Sequence, residues 1–287
     1  MPTESPPKRQ ARKDRVVHPV DRRHRILARV AAEQTIHVAQ LARELGVSEM
    51  TIRRDIRRLE RDGFLRQTYG GATAHITRSF DVSFNARALQ HSREKRLIGM
   101  RTTELLDGAR VIFLGIGTTV EQFARYLPPH PEMTIVTASL PIASLLGTRP
   151  IRTVAIGGAV LRDELSCNGP SAIRALGRYR FDLAVIGAAG LSARWGITEL
   201  TDDEAEIQRT AIDRAQQVIV MADGSKIGSA TNAIVAGAER IDTLVTDASA
   251  SSAELGRLRG LGVRVVVAGR PSLDARSGVR AAAGGSR

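Results

Sequence analysis

Residues 48–61 read SEMTIRRDIRRLER, and this stretch decides the fold of the amino-terminal part of the chain. Ile52, Ile56 and Leu59 recur at i, i+4 and i+7, the apolar stripe of an amphipathic helix. At 100° per residue, Met50, Arg53, Arg54, Arg57 and Arg61 fall on the opposite side. Three like-charged pairs stand four residues apart: Arg53–Arg57, Arg54–Arg58 and Arg57–Arg61. Each such pair costs about 0.2–0.5 kcal/mol in an isolated helix. Only Asp55 and Glu60 are expected to temper this face. A merely solvated face gains by mixing signs, so one that accepts the repulsion fits a polyanion lying across it. Ser48 precedes the helix as an N-cap, and Glu49 in the first turn suits the helix dipole.

Outward from this helix the pattern continues. Val38, Leu41, Ala42 and Leu45 have helical spacing over 38–45, and Gly46 and Val47 make a short turn into the basic helix, which is expected to end near Asp62. An earlier helix over 21–33 carries Ile26, Leu27 and Val30. His37 stands where a Ser or Thr cap is commoner, a small local cost. After the basic helix, residues 63–72 (GFLRQTYGGA) give two extended runs around a glycine turn, a β-hairpin wing. Arg66 and Tyr69 could reach phosphate or the minor groove from it. Packing of the wing on the helices explains Tyr69 equally well. Three helices and a hairpin make a winged helix-turn-helix over 21–74.

Charge agrees with an anionic partner. The chain of 287 residues has a net charge of +12 and a pI near 11.0. Residues 1–74 hold 16 Lys and Arg against 9 Asp and Glu, a net of +7; the longer remainder holds 26 against 21, a net of +5. Residues 1–20, with Pro2, Pro6, Pro7 and Pro19, read as a disordered basic tail. Cys167 is the only cysteine, so an intrachain disulfide and a thiolate cluster are excluded, and a reducing, cytoplasmic setting fits. No run approaches the ~18 apolar residues of a membrane span. The six histidines lack ligand spacing, so neither metal nor cofactor is expected.

Residues 75–92 are polar and aperiodic, a linker. From residue 93 to about 270 helices alternate with short apolar runs. A helix at 93–106 leads to Val111–Leu114 and then to a helix at 118–127. Further runs fall at 133–137, 151–156, 183–186, 218–221, 244–246 and 263–267. Buried strands separated by helices argue for a parallel, Rossmann-like sheet. Residues 271–287 read as a disordered tail.

In such a sheet ligands bind beyond the carboxyl ends of the strands. Leu114-Gly115-Ile116-Gly117-Thr118-Thr119 joins a strand to a helix there. Free N–H groups at the helix start, with the Thr118 and Thr119 hydroxyls, suit an anion. The stretch is neither a Walker A loop nor GxGxxG, since Val120 takes the third glycine's place. On these residues alone a tight turn with Thr118 as N-cap is an equal reading. Other strand ends converge with it: Thr137 and Ser139, Gly157 and Gly158, Gly187, and Asp223 with Lys226, a point charge for phosphate or a plain loop lysine.

The ordered set Val38-Ala39-Gln40-Leu41-Ala42, Val47-Ser48-Glu49-Met50-Thr51-Ile52-Arg53-Arg54-Asp55-Ile56, Leu59-Glu60, Gly63, Leu65-Arg66 and Gly70-Gly71-Ala72 resembles the signature of the DeoR/GlpR family of bacterial transcriptional regulators. GIGTT at 115–119, TASLPIA at 137–143, Gly157-Gly158, Asn168-Gly169-Pro170, Gly196-Ile197-Thr198, Glu204-Ala205-Glu206 and Asp223–Lys226 resemble the sensor domain of the same family. The resemblance covers about residues 21–268. It implies that Ser48–Glu60 is a recognition helix, with Glu49, Met50, Thr51, Arg53 and Arg54 toward base edges and Arg57 and Arg58 toward the backbone. It also implies an α/β sensor domain similar to sugar-phosphate isomerases, with a phosphorylated sugar as effector and Glu204 in reach of it. Ala138 and Gln208 depart from the family's usual Asn and Lys.

The expected function is a transcriptional repressor of carbohydrate genes whose operator affinity a sugar phosphate changes, with a dimer or tetramer spanning double-stranded DNA. The competing class is a sugar-phosphate isomerase with an appended DNA-binding module. Isomerisation needs a placed general base. Glu204, Glu206, Asp223 and Lys226 are chemically able, but acids opening a helix are explained by the dipole.

Overall fold

A computed structural model describes residues 19–33, 35–61, 65–74 and 84–269. Two compact units divide at Gln90/His91. Of the expected tails, residues 1–18 of the first and all of the second, 271–287, lie outside the described residues, as do residue 270 and, at the start of the wing, Gly63 and Phe64. Pro19 and Val20, read as tail, instead open the first helix.

The first unit runs α1 (Pro19–Glu33), β1 (Thr35–His37), α2 (Val38–Leu45), α3 (Glu49–Arg61), β2 (Leu65–Thr68), β3 (Gly71–Ala74) and α4 (Phe84–Leu89). Ile26, Val30, Leu41, Leu45, Ile52, Ile56 and Leu59 bury one face each of α1, α2 and α3 against Leu65 and Ala72 of the hairpin. That apolar burial, about 25 cal/mol per Å2, holds the unit together. Gly46 ends α2 in the left-handed region, φ 67°. His37 caps α2 without a side-chain bond, as expected; the Val38 N–H donates instead to Gly70 O in the hairpin turn, 2.9 Å. β1, which periodicity did not show, adds antiparallel to β3. α4 falls within the stretch expected to be aperiodic, with Phe84 and Ala86 buried.

The second unit contains α5 (Ser92–Thr103), β4 (Val111–Leu114), α6 (Thr118–Tyr126), β5 (Thr134–Thr137), α7 (Leu140–Leu146), β6 (Arg152–Ala155), β7 (Ala159–Leu161), β8 (Ser166–Asn168), α8 (Pro170–Leu176), β9 (Phe181–Ile186), β10 (Gly190–Ser192), β11 (Gly196–Glu199), α9 (Asp202–Asp213), β12 (Ala215–Met221), β13 (Ala233–Ala236), β14 (Thr243–Thr246), α10 (Ser252–Gly260) and β15 (Arg264–Val267). Seven parallel strands lie in the order β15-β14-β12-β9-β4-β5-β6.

Successive side chains alternate across this sheet. Ile112, Leu114, Ile135, Leu183 and Ile219 face α5, α6 and α7, while Phe113, Val136, Ala184, Val218 and Leu244 face α8, α9 and α10. The result is a three-layer α/β/α sandwich. A two-stranded antiparallel sheet, β7–β8, and a three-stranded one, β10-β11-β13, were not anticipated.

β4 sits at the point where the winding reverses. From it the chain proceeds through β5 to β6 on one side, then returns through β9 to β12, β14 and β15 on the other. Asp182 ties the two halves: its Oδ2 accepts from the N–H groups of Arg110 and Val111, both at 2.9 Å.

Candidate functional site: a basic helix face and a crevice at the strand reversal

On α3 the Ser48 hydroxyl accepts from Thr51 N–H at 3.2 Å, and the two side-chain hydroxyls lie 2.9 Å apart, so Ser48 is the expected cap. Met50 is 63% exposed, and Arg54, Arg57, Arg58 and Arg61 are exposed beside it. Glu49 and Arg53 form an i, i+4 ion pair at 3.2 Å. Tyr69 is fully exposed at the tip of the hairpin and Arg66 is exposed on β2; Tyr69 therefore does not pack the wing onto the helices.

Of the two acids expected to soften this face, one is withdrawn from it. Asp55 turns inward, 5% exposed, and accepts from Arg22 Nε of α1 at 2.5 Å, with Arg23 at 3.8 Å. Glu60 accepts from the Gln67 N–H at 2.8 Å, tying α3 to the wing. The basic surface thus loses Asp55 but keeps exposed Glu60 and the Glu49–Arg53 pair.

In the second unit the strand-end residues gather at one edge of the sheet. The turn after β4 and the turn after β9 meet at the reversal point. A Cβ on Gly115 would lie 3.2 Å from Ile186 Cα, and one on Gly187 would lie 3.2 Å from Ile116 O. Both positions leave little room for a Cβ where the two turns approach.

Gly117, not Thr118, is the N-cap of α6, with φ 105° and ψ 157°, a conformation essentially reserved for glycine. The first intrahelical bond runs from Glu121 N–H to Gly117 O at 3.0 Å, leaving the amides of Thr118, Thr119 and Val120 for an acceptor from outside. Among the described residues the hydroxyls of buried Thr118 and half-buried Thr119 make no hydrogen bond, and half-buried Lys226 makes no ion pair.

Other strand-end groups are already engaged. Thr137 Oγ1 accepts from Ser139 N–H at 3.0 Å, and Ser139 Oγ accepts from Ile142 N–H as the cap of α7. Glu204 closes a capping box with Thr201. Asp223 accepts from Ser225 N–H at 3.1 Å. Burial opposes the charge on Asp247, after β14, but N–H and hydroxyl donation from Ser249 and N–H donation from Gly224 outweigh it and lower its pKa. Gly158 packs on Asn168, whose backbone oxygen would lie 2.4 Å from an added Cβ, whereas Gly157 faces open space.

Gln208, singled out in the sequence, has a buried partner that sequence reasoning missed, Glu199. Gln208 is fully buried and donates from Nε2 to Glu199 Oε1 at 2.5 Å. β11, which carries Glu199, is bonded to the turn after β9: Ala189 N–H donates to Thr198 O, and Thr198 Oγ1 to Gly190 O. Ala138 is buried. A cavity of about 300 Å3 lies at the opposite, amino edge, lined by Glu104, Asp107, Gln217, Asp242, Thr243 and Arg264 among others, and shares none of these residues. Among the described residues no group of three His, Cys, Asp or Glu side chains could hold a metal, and no helix is long and apolar enough to cross a membrane.

A winged helix-turn-helix with an exposed basic helix face, followed by an α/β unit whose glycine turns meet at its strand reversal, defines a class of DNA-binding regulator with a sensing module. Residues 22–78 match the DeoR-like helix-turn-helix domain and residues 90–248 the DeoR C terminal sensor domain. The chain belongs to the DeoR family of transcriptional regulators. It is 31% identical over 248 residues to the HTH-type transcriptional regulator GlpR of Haloferax volcanii, spanning 86% of this chain and 97% of that one. It is 34% identical over 234 residues to the HTH-type transcriptional repressor GlcR of Bacillus subtilis, spanning 81% and 90%. Ribose 5-phosphate isomerase A of Methanocaldococcus jannaschii aligns at a TM-score of 0.36 and 18% identity over 48% of this chain and 55% of that one. Family and relatives make the chain a regulator, and the isomerase alternative is set aside.

Proposed function

We propose that the chain is a repressor of carbohydrate-metabolism genes, working in the cytoplasm as a homodimer or homotetramer on a double-stranded operator, and that a phosphorylated sugar in the crevice weakens its hold on DNA. Residues 21–74 read DNA and residues 93–270 sense the effector. Glu49, Met50, Thr51, Arg53 and Arg54 contact base edges; Arg57 and Arg58 contact phosphates; Arg66 and Tyr69 contact the backbone from the wing. A single winged helix reads few base pairs, which favours paired copies.

One observation carries the effector reading: three free amides and two free hydroxyls at the start of α6, set at the reversal point of a parallel sheet where such folds place ligands. Gly115, Gly117, Thr118 and Thr119 hold the phosphate, with Lys226 as counter-charge. Gly157 leaves open space beside the ligand, while Gly158 and Gly187 let the neighbouring loops close on one another around it. Thr137, Ser139, Glu204 and Asp223 shape the crevice through the bonds that fix their loops.

The test begins with an operator selected from randomised duplexes by the purified chain, followed by a screen of phosphorylated sugars for release. Lys226→Ala removes a charge-assisted bond of about 1.5–3 kcal/mol, so effector binding weakens roughly 10–150-fold while operator binding stays. Gly117→Val acts by conformation rather than by collision, because a Cβ there meets nothing within 4 Å. Both variants stay on DNA in the presence of effector. Wild-type effector affinity in both variants places the phosphate elsewhere.

A further inference from the structure

Gly99, in the middle of α5, is buried, and it is the point where α5 crosses α6. A Cβ at Gly99 would lie 2.8 Å from Phe123 N and 2.9 Å from Gln122 C, both backbone atoms of α6. No side chain stands between the two helices there, so no rotamer can absorb a displacement. Beside the crossing, Ile98 and Phe123 are both fully buried in one apolar cluster, and close-packed interiors transmit displacement rather than dissipating it. The two helices lead in different directions. α6 begins with the free amides of Thr118–Val120 at the crevice. α5 begins at Ser92, and only Gln90 and His91 separate it from α4 of the first unit. His91 is held at φ 51°, a left-handed turn uncommon for a residue with a side chain.

We infer that Gly99 is the positioning residue of the effector response: its bare Cα locks α5 to α6, so an anion that draws on the start of α6 displaces α5, and α5 delivers that displacement along the chain to α4. This rests on the reading of the α6 start as the anion site. A chain with Ala at 99 has to separate the two backbones, which leaves the amides of Thr118–Val120 in place but breaks the rigid coupling behind them.

The experiment follows backbone hydrogen exchange in the full chain with and without millimolar inorganic phosphate, for wild type, Gly99→Ala and Gly256→Ala. Gly256 is an exposed glycine of α10 whose added Cβ would meet nothing, and it serves as the control. In wild type and in Gly256→Ala, phosphate changes exchange at the start of α6, in α5 and in α4. In Gly99→Ala the change at the start of α6 persists, while those in α5 and α4 are lost. On a selected operator, release by the sugar phosphate, which in coupled systems is typically about 5–150-fold, falls below about twofold in Gly99→Ala with effector affinity retained. The inference is overturned if Gly99→Ala transmits the change as wild type does. It is also overturned if wild type shows protection at α6 but none in α5 or α4, a measurement that stands even when the variant does not fold. Absence of any phosphate effect at α6 in wild type refutes the anion site itself, a distinct outcome.

Discussion

Replacing Asp55 separates two accounts of the basic helix by the sign of the effect. If Asp55 sat on the outer face, removing its charge would strengthen DNA binding. In the structure it is 5% exposed and bonded to Arg22, which is 6% exposed, at 2.5 Å. Asp55→Ala therefore removes the carboxylate that accepts the buried Arg22 Nε bond. Loss of one partner of a buried pair costs about 3–5 kcal/mol. The winged helix is small, and a domain of about 60 residues buries a limited share of its surface, so that loss is comparable to its whole stability. Amide exchange of α1–α3 in the full chain reports it: opening free energies fall by about 3–5 kcal/mol, while amides of the parallel sheet are unchanged. DNA binding weakens although no contacting residue has been altered. The double variant Arg22→Met with Asp55→Leu recovers most of the loss, because apolar pairs of similar volume replace buried ion pairs at little cost. Tighter DNA binding by Asp55→Ala, with exchange in α1–α3 changed by less than about 1 kcal/mol, refutes the reasoning.

Three further outcomes follow from the same geometry. Arg54→Ala weakens operator binding by about 1–3 kcal/mol and relaxes base preference at one position, checked by competition with single-base variants of the selected operator. Arg58→Ala weakens selected and random duplexes alike and lowers the salt slope by about one counterion, measured by anisotropy over a salt series. Asp182 has a pKa below the usual carboxylate range, chiefly because the Val111 and Arg110 N–H groups bond its ionised form. Its stabilisation is therefore complete above the unfolded value near pH 4 and is lost as pH falls through the lower folded value. Asp182→Asn lowers stability by about 1–3 kcal/mol at neutral pH and flattens the acid limb of the unfolding profile.

Much of this was legible because it is local. α2 and α3 follow from apolar spacing and the Gly46 turn, and the seven parallel strands from apolar runs of three to six residues. What escaped depends on distant partners. β11 pairs Ile197 with Ala236, and β1 pairs Thr35 with Thr73; three- or four-residue segments carry no periodicity of their own. Asp55 was misjudged although its position was readable: it stands three residues after Ile52 and four before Leu59, inside the apolar stripe. Its charge argued for the surface, and Arg22, 33 residues away, reverses that argument. At the crevice, the residue types named the edge but not the division of labour. Whether Thr118, Thr137 or Ser139 is free depends on which backbone amide each meets.

The strand reversal also sets an order of events during synthesis. The winged helix closes on contacts within residues 19–74. β4 stays incomplete on one side until β9 appears, because its neighbour and its Asp182 clamp lie about 70 residues downstream. At ribosomal rates of about 5–20 residues per second, the growing chain carries a finished DNA-reading head for on the order of ten seconds before the crevice can exist. The DNA-reading unit of each new copy is therefore complete before the strand reversal on which the proposed effector response depends.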